Sequence, residues 1–204
     1  MPPDRSGPVA GIVPAAGSSS RMGRNKLLLA LGGETMLRRA VREAIAAELD
    51  PVIVVLGYEA DLARRELTGL ASQVVVNPDY HRGMNSSLRT GIAAVPAPAP
   101  ALVVVLPDMP FVTAAMMAAL VVRYRTSTAP LVISDYMGVA APPILYDRTL
   151  FEELLATGGE GGGRDVVRRH RHEAVAVTWP AAALADLDAP DDWQRAGAEL
   201  PTDA

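Results

Sequence analysis

The amino-acid sequence predicts a Rossmann-like three-layer α/β fold: a doubly wound, mostly parallel sheet with helices on both faces. Three observations carry that prediction. Short runs of Val, Ile and Leu recur along the chain without polar alternation, as strands buried on both faces require. Between them lie stretches with apolar residues at helical spacing, so strands and helices alternate in the manner of parallel crossovers. Polar, glycine-rich loops follow several of the apolar runs, where such sheets meet ligand at the carboxyl ends of their strands.

Residues 1–8 are polar and proline-rich and read as a flexible N-terminus, leaving 9–200 as a single domain. The run 9–13 is the first strand, and it enters a long polar loop over 14–33. Thr35 is placed to cap a helix over 36–49, with Leu37, Val41, Ala44 and Ile45 on one face. The continuous apolar run 52–56, ended by Gly57, is the second strand. A helix over 59–67, a strand over 73–76 and a helix reaching Ala94, capped by Asn85 or Ser86, continue the alternation. Residues 96–100, with proline at every second position, form a stiff connector too short to divide domains. Next come a buried strand over 102–106, a Thr113-capped helix to Arg125 and a strand over 131–134. The remainder reads as an irregular strand at 144–146, a helix over 147–156, a glycine-rich loop over 158–163 and a helix from Arg164 or Asp165. A last strand over 174–177 precedes a helix started by Pro190.

Composition excludes several functions. Half of the residues are hydrophobic but only 4% are aromatic, so the core is aliphatic. A net charge of −4 argues against nucleic acid and anionic membrane as partners. The absence of cysteine rules out disulfides and thiolate metal sites, and three scattered histidines do not make a zinc site. Two of them lie in the run Arg168-Arg169-His170-Arg171-His172, which reads as a solvated helix end. No apolar stretch is long enough to span a bilayer, and the N-terminus lacks an apolar signal core, so a soluble, cytoplasmic protein is expected.

The first loop, Pro14-Ala15-Ala16-Gly17-Ser18-Ser19-Ser20-Arg21-Met22-Gly23-Arg24-Asn25-Lys26, suits phosphate. Small residues let backbone N–H groups approach phosphate oxygens, and Arg21 and Lys26 add fixed positive charge. Lys26 is the single lysine among 19 Lys+Arg, a compact ammonium in a chain that otherwise uses guanidinium. The loop is neither a Walker A motif nor a dinucleotide fingerprint, because the required lysine context and glycine spacing are missing. Asp108 lies just past the strand over 102–106, where a carboxylate faces the ligand crevice. Asp188, before the Pro190 helix, is a second candidate carboxylate, with Asp186 as its rival. Mg²⁺ is commonly held by one or two carboxylates together with substrate phosphates.

These motifs are similar to those of the MobA-like nucleotidyltransferases, which include the molybdopterin cytidylyl- and guanylyltransferases. Ala15-Ala16-Gly17-x-x-x-Arg21-Met22-Gly23-x-x-Lys26 resembles the family's signature loop. Gly83-Met84-Asn85-Ser86-Ser87-Leu88-Arg89-x-Gly91 resembles the segment contacting base and ribose, and Leu106-x-Asp108-Met109-Pro110 the metal-binding turn. Gly159-Glu160-Gly161-Gly162-Gly163-Arg164 is similar to an acceptor-side loop, and Asp186-Leu187-Asp188-Ala189-Pro190 to the segment completing the metal site. The resemblance implies the nucleotidyltransferase type of the fold. It also implies roles: Lys26, Arg21 and Asp108 in catalysis, and Asp108 and Asp188 on Mg²⁺, with Mn²⁺ as an alternative. Ala15, Ala16, Gly17, Ser18, Ser19, Ser20, Arg21, Lys26, Gly83, Ser86 and Ser87 would bind nucleotide, and Gly162, Gly163, Arg164 and Pro143 the acceptor.

The expected reaction passes a nucleotidyl group from a nucleoside triphosphate to a phosphorylated acceptor, with release of pyrophosphate. Ala15-Ala16-Gly17 resembles the cytidylyl branch, which favours CTP, with GTP as the runner-up. Three departures mark the acceptor and metal regions: Met109 in the metal turn, Ala141-Pro142-Pro143 where a His or Asn is usual, and Glu160 in place of Asp. The resemblance implies molybdopterin as the acceptor, with a molybdoenzyme or its chaperone as protein partner. A sugar phosphate or phospholactate acceptor, and a non-catalytic cofactor-escorting chaperone, are the alternatives.

Overall fold

The computed structural model describes residues 5–18, 25–158 and 161–184. In chain order the strands are β1 (Ala10–Ala15), β2 (Ala30–Leu31), β3 (Glu34–Thr35), β4 (Val52–Leu56), β5 (Gln73–Val76), β6 (Ala101–Val104), β7 (Leu131–Tyr136), β8 (Val139–Asp147) and β9 (Val175–Trp179). The helices are α1 (Met36–Ala46), α2 (Ala60–Glu66), α3 (Met84–Ala93), α4 (Ala114–Arg125), α5 (Phe151–Ala156) and α6 (Arg164–Arg169). Seven strands form one sheet in the order β5-β4-β1-β6-β8-β7-β9, while β2 and β3 make a separate small hairpin. Within the large sheet β8 alone runs against its neighbours, and the other pairings are parallel.

The sheet is buried on both sides because its strands carry apolar residues in both directions. Val13, Val54, Val103 and Leu145 pack with Leu37, Val41 of α1 and Met117, Leu120 of α4. Ile12, Ile53, Leu102 and Ile144 pack on the other side with Leu88 and Ile92 of α3, Phe151 of α5 and Val166 of α6. Alternate residues of one strand thus feed two different cores, the outcome expected of unbroken apolar runs. Gly91 lets α3 lie close on the sheet, since a Cβ there would stand 2.7 Å from Ile12 Cγ2.

Several local expectations are refined. Thr35 and Thr113 do cap α1 and α4, their side chains accepting from the backbone N–H of Arg38 and Met116. The helix expected over 36–49 ends at Ala46, and Glu48 turns the chain with φ 58°. α3 starts at Met84 after Gly83 (φ 94°), so neither Asn85 nor Ser86 is its cap. The irregular strand at 144–146 is the inner part of β8, a nine-residue strand paired with β7 through a turn at Met137 and Gly138. Pro142 and Pro143 hid it, because proline cannot donate to a ladder. Here the Ser134 hydroxyl donates to the Pro143 carbonyl at 2.7 Å, at the point where the β7–β8 register shifts.

Arg5, in the segment read as a flexible N-terminus, donates to the carbonyls of Tyr124, Ser127 and Ala129 and pairs with Asp147 at 3.4 Å. The helix expected from Pro190 lies outside the described residues. Among the described residues no helix is long and apolar enough to cross a membrane.

Candidate active site

After β1 the chain moves to β4 and β5 on one side, then returns to β6 on the other. The loops that follow β1 and β6 therefore part from each other, and a crevice opens at this switch point of the sheet. Lys26 and Asp108 face each other there, with Nζ and Oδ2 2.9 Å apart.

Each side chain is aimed by buried neighbours. Lys26 opens a 3₁₀ turn, Lys26–Leu28, whose first residue is preceded by Asn25; the Asn25 Oδ1 accepts from the Leu27 N–H. Leu27 anchors that turn in the core beside α1 and α2. Asp108 is held by its successor Met109, which is buried and donates its N–H to the Leu106 carbonyl at 3.3 Å. Lys26 and Asp108 remain reachable, with side chains 16% and 27% exposed. The Nδ2 of buried Asn25 finds no hydrogen-bond partner among the described residues, an uncompensated donor directly beside the lysine.

Two cavities open near these loops. The first, about 340 Å³, is lined by Pro14, Ala16, Gly17 and Ser18 from the β1 loop, with Tyr80, His81, Gly83, Met84 and Ser87 opposite. The second, about 470 Å³, is walled by Ala140, Ala141, Pro142 and Ile144 of β8, by Leu106, and by Gly161, Gly162 and Arg164. Met84 borders both, so the two cavities meet at the start of α3.

Of the residues singled out in the sequence, Ala16, Gly17, Ser18, Gly83 and Ser87 line the first cavity, and Gly162 and Arg164 the second. Four others sit behind the walls. Ala15 is buried inside β1. The Ser86 hydroxyl is committed to the carbonyls of Asp79 and Gly83 and to the Asn77 amide, so it braces the segment rather than facing the cavity. Pro143 is turned into the sheet, and Pro142 takes its place on the wall. Gly163 is buried beneath the second cavity, where φ 88° and a Tyr146 hydroxyl 2.8 Å from any added Cβ demand glycine. Ser19, Ser20, Arg21, Asp186 and Asp188 lie outside the described residues, as does Glu160.

Sequence reasoning missed Tyr80 and His81, whose ring contact shapes the nucleotide-side wall. Asn85, read in the sequence only within the Gly83–Gly91 segment and as a helix cap, is buried on α3, where it donates to the Gly158 carbonyl and accepts from the Gly163 N–H, tying α3 to the 158–163 loop. Arg168 and Arg171, read as a solvated helix end, line the second cavity with Arg164. Their spacing of four and seven from Arg164 was the available signal.

The donor set fits a hard divalent cation shared with substrate. Among the described residues no group of three or more metal-ligating side chains is gathered, so a self-sufficient protein cage is absent there. An accessible carboxylate, Asp108, in the turn after β6 is the sparse ligation that Mg²⁺ accepts and that zinc does not.

Fold and site together define the class: the chain is a nucleotidyltransferase. It belongs to the family of the MobA-like NTP transferase domain, whose model matches residues 11–175. The chain is similar to the purine catabolism protein PucB of Bacillus subtilis, 29% identical over 93% of this chain and 96% of that one. It is 27% identical to the molybdenum cofactor cytidylyltransferase of Escherichia coli, over 89% and 92% of the respective chains. The crystal structure of Rv0371c from Mycobacterium tuberculosis superposes with a TM-score of 0.85 at 29% identity, covering 95% of this chain and 98% of that one. The same mycobacterial protein has been crystallised in complex with manganese.

Proposed function

We propose that this chain transfers CMP from CTP to the phosphate of a molybdopterin-type acceptor, with Mg²⁺ as cofactor and pyrophosphate as the leaving group. The observation that carries the reading is the Lys26–Asp108 pair at the switch point, together with two cavities that share Met84, one lined by the β1 loop and the other by Leu106 of the chain leading to Asp108. A transferase joining two substrates needs that layout: the reacting phosphates must meet between the sites that hold the rest of each molecule.

The nucleotide occupies the cavity beneath the β1 loop, where Gly17 and Ser18 present backbone to the phosphates and Tyr80 and His81 border the base. The acceptor phosphate attacks the α-phosphorus as the bond to the β-phosphate breaks. Lys26 supplies a preorganised ammonium where negative charge accumulates, in a partly enclosed crevice that strengthens it. Asp108 would hold Mg²⁺, which would neutralise charge on the phosphate oxygens, and Lys26 lies against the same carboxylate. Arg21 and Asp188 complete the proposed set.

Ala16 supports the choice of base. It borders the nucleotide cavity, at the position where the guanylyl branch of the family carries glycine. CTP with Mg²⁺ should raise the melting temperature more than GTP, ATP or UTP, because stabilisation follows ligand affinity. A larger shift with GTP would remove the cytidylyl assignment. Incubation with CTP, Mg²⁺ and molybdenum-loaded molybdopterin should release pyrophosphate and yield the dinucleotide. Tight CTP binding without product would remove the pterin and favour another phosphorylated acceptor.

A further inference from the structure

The acceptor-side cavity has an apolar floor and a cationic rim. Leu106, Ala140, Ala141, Pro142, Ile144 and Val167 supply the floor, and among the described residues no carboxylate lines it. Three guanidinium groups stand at its edge: Arg164, Arg168 and Arg171. Arg164 and Arg168 lie four residues apart on one face of α6, about 6 Å along the axis, and Arg171 extends that row past the helix end. Arg169, one residue away, points elsewhere and pairs with Glu153 of α5.

One phosphate is satisfied by one or two planar forks. Three in a row along an apolar trough are more than a single phosphate requires. The reacting end of the trough is marked by Leu106, two residues before Asp108, and by Gly161 and Gly162, which lead directly into Arg164. Arg168 and Arg171 are further along. Arg168 is 78% exposed and pairs with Asp165 on its own helix at 3.0 Å, a surface contact that a ligand can replace at little cost.

We propose that Arg168 and Arg171 form a second anion-recognition element of the acceptor site. The acceptor class is then an amphiphile with an apolar ring-sized body, the reactive phosphate at Arg164 and a separate anionic group at the other end. The inference rests on the acceptor role proposed for this cavity.

Two probes test it by isothermal titration at fixed ionic strength: 2-naphthyl phosphate and naphthalene-2,6-diyl bisphosphate. The wild-type protein should bind the bisphosphate about tenfold more tightly, beyond the statistical advantage of two equivalent ends. The variant carrying Arg168→Gln and Arg171→Gln should lose that preference while keeping its affinity for the monophosphate. Arg169→Gln, which removes the same kind of charge from another face, should retain it. Equal binding of the two probes by the wild type, or a preference surviving in the double variant, overturns the proposal. So does a double variant that weakens the monophosphate as much as the bisphosphate, since one anion would then use all three arginines. CTP with Mg²⁺ titrated into the same samples keeps the two readings apart. Failure of CTP to bind removes the cytidylyl reading, whereas the probe ratio reports on the rim alone.

Discussion

The two cavities that meet at Met84 are built by different means. The nucleotide side hangs from the parallel half of the sheet, where β5, β4, β1 and β6 lie in register and their carboxyl ends open onto one crevice. Its polar supports are internal: Asn77 donates to the hydroxyls of Ser86 and Ser87, and all three are buried. The acceptor side is formed by the one antiparallel strand, β8, and by α6, a helix of six residues. Beside the buried Ser134–Pro143 and Asn85–Gly163 bonds, it relies on surface supports, where Arg169 and His170 reach Glu153 of α5. On the proposed reading, the bond-making groups are mounted on the parallel half of the sheet and the groups that choose the acceptor on β8 and α6. Damage to the two sides should therefore read out differently.

The largest effects belong to the crevice. Lys26→Ala removes a preorganised charge and should lower the rate of pyrophosphate release by about 10²–10³-fold, roughly 3 kcal/mol, with the melting temperature little changed. Asp108→Asn keeps the shape but removes the carboxylate charge, and Mg²⁺-dependent release should fall at least as far, about 10²–10³-fold. Activity within a few-fold of wild type in either variant would break the assignment of chemistry to the core side.

Next in size is Gly163→Ala. The backbone there has φ 88°, and the new methyl would strike the Tyr146 hydroxyl at 2.8 Å. A loss of about 1–3 kcal/mol in unfolding free energy is expected. Because Gly163 also donates to Asn85 on α3, the variant tests whether the two sides are coupled. A rise in the KM for molybdopterin with the CTP affinity unmoved means separate mounts. Equal loss of both would mean that Asn85 transmits the damage.

What the sequence made legible follows the same division. Buried parallel strands announce themselves as apolar runs, as β4 does, and β4 and the edge strand β5 have the bounds that their apolar runs predict. The loops after β1 and β6 were legible because small residues, one lysine and an aspartate follow such runs directly. The acceptor side was less so. Proline in β8 concealed its length, and the β7–β8 turn uses Met137 at φ 55°, a residue with no turn preference. Arg168 and Arg171 looked like solvent-facing charge, because composition does not report which helix face borders a cavity. Ser86 shows the converse error: a polar residue inside a binding motif that serves as an internal brace.

A smaller effect is expected at Arg164, at the inner end of the rim. A charged hydrogen bond to phosphate is worth roughly 1.5–3 kcal/mol when well enclosed, and exposure reduces it. Arg164→Ala should raise the KM for the acceptor about tenfold. The Kd for CTP should stay put, and a parallel loss of CTP affinity would mean that Arg164 belongs to the nucleotide side.

The smallest effect concerns what holds α6 in place. His170 Nε2 lies 2.6 Å from Glu153, and Glu173 approaches the other ring nitrogen at 3.3 Å. The bond to Glu153 raises the His170 pKa above its ordinary value, against the opposing pull of desolvation. Burial pushes the Glu153 carboxyl up, but its bonds to His170 and Arg169 outweigh that and hold it below the usual range. A raised histidine stabilises the fold fully below its unfolded pKa, and loses that contribution as pH rises through the folded one. A lowered carboxylate contributes above its unfolded pKa and loses its share as pH falls through the folded one. The pair should therefore be strongest between about pH 4.5 and 6.5, the ordinary values of the two groups. Comparing wild type with His170→Gln by thermal melts, the stability gap should be largest near pH 5.5 and close on either side. Screening at the surface limits it to about 0.5 kcal/mol. Above the folded histidine pKa the gap should vanish, because Arg169 keeps its own contact with Glu153 in both proteins. His172, which also approaches Glu173 at 3.3 Å, is common to both and cancels in the difference. A gap independent of pH would mean that His170 supports α6 by packing alone.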